Sequence, residues 1–280
     1  MKKISFGSWA FAFGPYAGAP VPFDKIVARL GELGYDAVEI CGRSPHVSME
    51  SCSSAEARAE VKKVISDAGL GISGITGDMA GLNPANESTR EKYLDRFAQN
   101  LELASALGAP GIRIDSAGPP RKDGPALARA AETLRGAAEK AAEASIKIHW
   151  EFEPCFAFNS PTEILQLAEK VDHPNFGVLF DTSHALLATA DSEGGPAALL
   201  DQLAGKINAV HLADCDGSRI NGTSSHFPLG AGKAGLPSLA PKLGALPVDY
   251  WTIDMCFWPG AWRLMAAQLA YAKRLAASAS

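Results

Sequence analysis

Short apolar runs alternate with longer amphipathic segments from one end of the chain to the other. Eight of the runs have the length and the β-branched and aromatic content of strands. They are "ISFGSW" near the start, "AVEIC" at 37–41, "GISGIT" at 71–76, "GIRIDS" at 111–116, "IKIHWEFE" at 146–153, "FGVLFDT" at 176–182, "INAVHLAD" at 207–214 and "YWTIDM" at 250–255. A segment with helical spacing of its apolar residues follows each run. This alternation is typical of βα units on a parallel sheet.

The count of eight βα units predicts an α/β protein, a (β/α)8 TIM barrel, with residues 1–280 forming a single domain. A doubly wound open sheet is the second interpretation. It usually carries a glycine-rich phosphate loop after the first strand, and "GSWAFAFG" is too aromatic for that role.

Capping residues support the helix assignments. Several helical segments end on a glycine, which adopts the left-handed conformation that terminates helices, as at Gly34, Gly69 and Gly108. Others begin at a Ser or Asp, whose side chain can accept hydrogen bonds from the free amides of the first turn. The candidates for this second role are Asp24, Ser54, Ser88 and Ser160.

Composition narrows the class of partner. The 280 residues are 47% hydrophobic and carry a formal net charge of −5, which disfavours binding to nucleic acid or to an anionic membrane. Five cysteines, without any C-x-x-C spacing, are typical of reduced thiols in a cytoplasmic protein and disfavour a zinc–thiolate site. The opening "MKKISFGSWAFAFG" is similar to a leader, but glycines interrupt it and it supplies the first strand, so we expect no leader.

Ionisable residues gather at the C-terminal ends of the predicted strands, which meet at one mouth of a TIM barrel. They are Glu39, Arg113, Asp115, Glu151, Glu153, Asp181, His184, His211, Asp214 and Asp254. Singly, each has a structural explanation: Asp181 as a helix cap, His211 as a core histidine, Glu153 as a rim residue. Together, the carboxylates and imidazole of strands five to eight form an oxygen-rich set that suits one divalent ion, Mn²⁺, Mg²⁺, Co²⁺ or Zn²⁺.

Glu151 and Glu153 are two positions apart in "IHWEFEPCF", so a strand directs both to the same side. Two like charges in an apolar run need a compensating cation or proton. The long loop from Asp214 to Pro237 follows the seventh strand and holds Arg219, His226 and Lys233. A loop of that length at the mouth is typical of a functional segment.

The chain resembles the xylose isomerase-like barrels, the sugar phosphate isomerase/epimerase superfamily, over essentially its whole length. The stretches that carry the resemblance are "HWEFEP", "NFGVLFDTSHAL", "AVHLADCDG", "HFPLGAGKAGL" and "YWTIDMCFWPG". The resemblance implies Glu151, Asp181, His211 and Asp254 as metal ligands. Two departures stand out: Asp254 replaces the usual glutamate, and strand five offers Glu153 as a second possible ligand.

A divalent ion at this position would hold a carbonyl and its neighbouring hydroxyl and stabilise an enediolate. Glu151 and Asp254 are the predicted acid–base pair, with Glu153 as an alternative. The resemblance adds a sugar or polyol substrate and a possible homo-oligomer. The predicted substrate contacts are His184, Arg113, His226, Arg219, Trp9 and Trp258. An ion pair of Arg113 with Asp115 or Glu39 is an equally good explanation of Arg113.

The first functional hypothesis is therefore a metal-dependent isomerase or epimerase. A dehydratase or lyase acting on a keto-sugar or keto-cyclitol shares the first step and is the main alternative. A sugar-binding barrel without catalysis is a third hypothesis, and Asp254 is its best support. An endonuclease of the same superfamily would need further ligands and a basic surface, which the acidic balance disfavours.

Overall fold

Eight parallel strands close into a barrel. The computed structural model describes residues 1–118 and 124–279. The barrel strands are β1 (Lys3–Gly7), β2 (Ala37–Cys41), β3 (Gly71–Thr76), β4 (Gly111–Ile114), β5 (Lys147–Glu151), β6 (Phe176–Asp181), β7 (Ile207–Leu212) and β10 (Tyr250–Ile253), and a hairpin of β8 (Arg219–Ile220) and β9 (Thr223–Ser224) lies between the last two. Each barrel strand pairs with its neighbours in chain order, and β10 pairs with β1 to close the ring. The predicted (β/α)8 barrel is confirmed.

Helices follow the barrel strands and cover their outer faces. They are α1 (Phe23–Leu33), α2 (Ala55–Asp67), α3 (Arg90–Leu107), α4 (Ala126–Glu143), α5 (Pro161–Val171), α6 (Thr182–Ala188), α7 (Gly195–Leu203), α8 (Leu236–Ala245) and α9 (Ala261–Ser278). Two helices, α6 and α7, stand where one was predicted, because Asp181 caps a short helix directly at the end of β6. Among the described residues, no helix is long and apolar enough to cross a membrane.

The predicted helix ends are correct in part. Ser54 and Ser160 cap α2 and α5 through their side chains, and Ser160 forms a capping box with Glu163. Asp24 lies within the first turn of α1, which begins after Pro22. At Ser88, a 3-10 turn precedes α3, so that residue is no cap.

Strand alternation decides which side chains reach the barrel axis. In β5, Ile148 and Trp150 are fully buried on the outer face, under the helices. His149 and Glu151 therefore point inward, and Glu151 is the last residue of the strand. Inward polar pairs fill the lower part of the barrel; His149 Nδ1 lies 2.8 Å from Asn208 Oδ1. Because alternate residues of each strand point toward the barrel axis, the acids at the ends of several strands meet at the mouth.

Candidate active site

A cavity of about 370 Å³ opens at the C-terminal mouth of the barrel. Its volume falls in the range of small-molecule sites. Its walls contain most of the predicted site residues, namely Trp9, Arg113, Glu151, Glu153, His184, His211, His226 and Asp254. Side chains that end six different strands or the loops after them therefore converge on one space.

His211 lies at the base of the cavity between two buried carboxylates. Its Nδ1 is 3.2 Å from Glu151 Oε1, and its Nε2 is 3.1 Å from Glu39 Oε2. Burial alone would lower the pKa of His211, but the charges of Glu39 and Glu151 outweigh it and raise the pKa well above its ordinary value. Each ring nitrogen of His211 thus faces a carboxylate, and when protonated it can donate a hydrogen bond to it.

Asp181 lies beneath the cavity and is completely buried. Its Oδ1 accepts hydrogen bonds from the backbone amides of Ser183 and His184, at 2.8 and 2.9 Å, and from the Ser183 hydroxyl at 2.6 Å. Its Oδ2 has no hydrogen-bond partner in the described part of the chain. The expected role as a helix cap is thus real, but it uses only one of the two oxygens. A buried carboxylate oxygen without a partner is costly unless a cation approaches it.

Two further histidines extend the site. His184 Nδ1 lies 2.7 Å from the hydroxyl of Ser224, which the β8–β9 hairpin brings to the cavity. The ring of His226 packs edge-on against His184, with centroids 5.3 Å apart. Both ring nitrogens of His226 are buried and lack a hydrogen-bond partner among residues 1–118 and 124–279. Burial opposes protonation of His226, but Asp254 and Asp181 raise its pKa overall.

Arg113 supplies the positive charge that compensates the paired carboxylates of Glu151 and Glu153. Its guanidinium contacts the carboxylates of Glu151, Glu153 and Asp115, the last at 2.9 Å. Burial would raise the pKa of Glu151, but Arg113 and His211 lower it well below its usual range. The Asp115 pKa is instead raised, chiefly by burial, although Arg113 partly offsets this. Arg113 thus pairs with Asp115, as one prediction had it, but Glu39 pairs with His211.

Asp254 directly follows β10. In the strand order of the barrel, β10 and the strand of Glu151, β5, lie on opposite sides of β7, which carries His211. Asp254 Oδ1 accepts hydrogen bonds from Trp9 Nε1 at 2.9 Å and from the Cys256 amide at 2.7 Å. Its Oδ2 lies 3.9 Å from His211 Nδ1 and 3.7 Å from His226 Nε2. The shorter side chain therefore still reaches the cavity, and Trp9 holds it there.

These side chains suit a divalent cation. One ligand atom from each of Glu151, Asp181 and His211 lies within 4.8 Å of the others. The unpartnered Oδ2 of Asp181 and the oxygen-rich donor set are what a hard or borderline ion requires. Glu39 would orient the imidazole from behind, as carboxylates commonly do for metal-bound histidines. Among the described residues, two further triads meet the same spacing, Glu151–Glu153–His184 and Asp181–His184–His226, and Asp254 belongs to none of the three. Of the two strand-five glutamates, only Glu151 lies within this distance of both Asp181 and His211.

A comparison with models of protein families identifies the family of this barrel. Residues 27–275 match the model of the family described as xylose isomerase-like TIM barrel. The chain belongs to this family. A comparison with curated protein sequences gives no significant match.

Solved structures of the same fold cover nearly the whole chain. A D-tagatose 3-epimerase-like protein has a TM-score of 0.77 and 21% identity, with 100% of both chains covered. D-psicose 3-epimerase from Clostridium cellulolyticum H10 has a TM-score of 0.76 and 16% identity, with 99% of both chains covered. The probable 3-DHS dehydratase of Bacillus anthracis has a TM-score of 0.76 and 18% identity, over 97% of this chain and 98% of that one.

Two predicted substrate contacts lie elsewhere in this xylose isomerase-like barrel. Arg219 donates hydrogen bonds to the backbone oxygens of Pro154 and Gly222, at 3.0 and 3.3 Å, and is not among the side chains that line the cavity. Trp258 packs on Phe227, with ring centroids 5.1 Å apart, and also lies outside the lining. Both residues shape the loops around the mouth in the structure.

Sequence reasoning does not foresee two contacts of the site, that of Glu39 with His211 and that of Ser224 with His184. The sequence places Glu39 at the mouth, but nothing along the chain connects it with His211, 172 residues away, so its contact with that ring is not predicted. Ser224 lies in the irregular loop after β7, and only the hairpin of β8 and β9 brings its hydroxyl to His184. The inward position of Glu39 on β2 was the one available signal for the first. No pattern indicates the second.

Proposed function

We propose that the protein is a metal-dependent epimerase or isomerase of a sugar or sugar-like polyol. The observation that carries this proposal is the position of two carboxylates around one imidazole. Glu151 Oε1 and Asp254 Oδ2 lie 3.2 and 3.9 Å from His211 Nδ1, and both side chains line the cavity. Two carboxylates that approach one small cavity from different strands can remove a proton from a carbon and return it.

The cation would bind Glu151, Asp181, His211 and Asp254. When bound, it would polarise the substrate carbonyl and stabilise the negative charge that develops after proton removal. The low pKa of Glu151 keeps this carboxylate ionised, as a base must be. Trp9 fixes the orientation of Asp254, and Arg113 fixes those of Glu151 and Glu153. The solved structures that share this fold include a protein named D-psicose 3-epimerase and one named D-tagatose 3-epimerase-like. These names support a sugar as the substrate.

A dehydratase has support from a separate observation. The His226 ring lines the cavity 3.7 Å from Asp254, and its raised pKa favours the protonated form. A protonated imidazole beside a carboxylate can donate a proton to a departing hydroxyl group after the first proton has been removed. One structure of the same fold is described as a probable dehydratase.

Incubation with neutral keto-sugars in deuterated water, followed by NMR, distinguishes the two reactions. We expect deuterium at a carbon next to the carbonyl together with the epimeric or isomeric sugar. Glu151→Gln and Asp254→Asn should slow exchange by about 10²–10⁴-fold, the usual contribution of a general acid or base. Glu102→Gln, on an exposed face of α3, is the matched control. Loss of water would assign a dehydratase, and no exchange with any neutral or acidic keto-sugar would contradict both.

The metal requirement has its own test. Elemental analysis of purified Asp181→Asn protein should show loss of the bound ion, because the substitution neutralises the unpartnered Oδ2. Ser183→Ala removes a hydroxyl from Oδ1 but leaves Oδ2 intact, so it should retain the ion. Equal metal content in the two variants would contradict the site.

A further inference from the structure

A second guanidinium, that of Arg43, lines the cavity beside the groups already described. Arg43 follows β2 in the loop at the mouth of the barrel. Within residues 1–118 and 124–279, its guanidinium has no carboxylate partner and donates no hydrogen bond. An arginine has five N–H donors, so an unpaired guanidinium at a cavity wall is free to bind a ligand.

The backbone on both sides of Arg43 is held in place. The Gly42 amide donates to the Thr76 oxygen at 3.0 Å, and a side chain at Gly42 would collide with that same oxygen. The Arg43 oxygen accepts a hydrogen bond from the His46 amide at 3.0 Å. The loop therefore presents Arg43 from a fixed point next to β3.

The side chain is oriented as well. Its guanidinium carbon lies 5.7 Å from the centre of the Phe13 ring, and Phe13 also lines the cavity. Stacking on an aromatic face restrains a guanidinium without using its N–H donors. Arg43 is thus prepared to bind an anion, since the backbone hydrogen bonds and the contact with Phe13 restrain its position before a ligand arrives.

The other cavity arginine cannot take this role. The donors of Arg113 are engaged by Glu151, Glu153 and Asp115, and releasing any of them would leave a buried carboxylate unpaired. Arg43, beside Phe13, is the cavity arginine whose guanidinium contacts no carboxylate among the described residues, although its charge acts on Asp115 and lowers the pKa of that carboxyl in part.

We propose that Arg43 and Phe13 form a subsite for the carboxylate of a sugar acid. This inference rests on the proposed function and specifies its substrate class: a keto-sugar with a terminal carboxylate, whose carbonyl faces Glu151 and Asp254. A planar carboxylate accepts two parallel hydrogen bonds from a guanidinium. A phosphate ester carries about −1.5 to −2 charges at neutral pH and would meet stronger repulsion from the four cavity carboxylates, so a single negative charge fits better.

The test compares three probes that share a carbon skeleton: D-fructose, D-fructuronate and D-fructose 6-phosphate. Calorimetry measures binding, and NMR in deuterated water measures proton exchange. We expect D-fructuronate to bind best, and Arg43→Gln to weaken its binding by about 10–100-fold, the loss of hydrogen bonds to a charged group. The effect of the variant on D-fructose binding should be much smaller, because the neutral sugar offers the guanidinium no carboxylate. Arg274→Gln is the matched control, since Arg274 also stacks at 5.7 Å on an aromatic ring, Tyr271, outside the cavity.

The outcomes separate this inference from the proposed function. Preferred binding of D-fructose, or an equal effect of Arg43→Gln on the acid and on the neutral sugar, would overturn the subsite while leaving the exchange reaction standing. Preference for the phosphate would overturn the assignment to a sugar acid. Arg43-dependent binding of D-fructuronate without exchange of any probe would support the subsite and contradict the epimerase.

Discussion

His211 directs its Nε2 at the carboxylate of Glu39, at 3.1 and 3.2 Å from the two oxygens. This contact fixes the plane of the ring and leaves Nδ1 toward the cavity. Carboxylates behind a ligating histidine raise its basicity, and their loss typically weakens metal binding. The Glu39 contact is therefore part of the proposed metal site even though Glu39 is not among the predicted ligands.

We expect Glu39→Gln to lower the affinity for Mn²⁺ by about 10–100-fold. Glutamine can still accept the hydrogen bond from Nε2, but it carries no charge. Titration of Mn²⁺ against a competing chelator measures the change. Glu32→Gln, on an exposed part of α1, is the control and should bind as tightly as the unmodified protein. An affinity for the Glu39 variant equal to that of the control would show that the pair serves only packing.

Trp9 donates from Nε1 to Asp254 Oδ1 at 2.9 Å, and its ring lies 5.3 Å from that of His211. This geometry makes Trp9 a positioning residue for Asp254. Trp9→Phe keeps an aromatic ring and removes the donor, so we expect kcat for exchange to fall about tenfold with little change in KM, as is usual for a lost partner of this kind.

Trp258→Phe provides the comparison for Trp9. Trp258 packs on Phe227 outside the cavity lining, so the same replacement there should leave kcat near that of the unmodified protein. If both variants lose kcat to the same degree, the effect comes from general loosening of the mouth and not from the hydrogen bond to Asp254.

Local patterns carry most of the fold and much of the site. The alternation of strand and helix, and the period of two in "KIHWE", place Glu151 on the inner face without any knowledge of distant contacts. Because all parallel strands end at the same mouth, their terminal acids and histidines must converge there. The position of Asp254 beside His211 follows from this rule.

Local patterns do not predict which charged side chains of the site pair with each other. Arg113 has several acids within reach at the mouth, and the sequence left Asp115 and Glu39 as equal candidates. Their side-chain rotamers and the barrel register decide the outcome: β4 lies next to β5, so Arg113 reaches Glu151 and Glu153, while His211 takes Glu39 across the barrel. The cap at Asp181 was predictable from its position, but its unpartnered Oδ2 was not.

Gly111, the first residue of β4, lies directly against the ring of His149. A Cβ at this position would overlap the ring of His149, whose Nδ1 is held 2.8 Å from Asn208. We expect Gly111→Ala to lower the free energy of unfolding by about 1–3 kcal/mol, the usual cost of overpacking. In urea unfolding, Gly136→Ala should show no such loss, because a Cβ there meets only Leu94, at 3.7 Å. Equal stabilities would mean that His149 moves aside freely.

Arg113 compensates three carboxylates at once, and its removal should be costly. We expect Arg113→Met to lower the free energy of unfolding by about 3–5 kcal/mol, because it leaves buried charges unpaired. Arg90→Met breaks an exposed ion pair with Glu132 and should cost at most about 1 kcal/mol. Urea unfolding of both variants measures the difference.

The Arg113 variant also tests the link between charge and metal. A divalent ion at Glu151, Asp181 and His211 would replace part of the lost positive charge, and an ion that binds only the folded state stabilises it. Saturating Mn²⁺ should therefore recover more stability in Arg113→Met than in Arg90→Met. If Mn²⁺ raises the stability of the two variants equally, the cation does not share the carboxylates that Arg113 compensates.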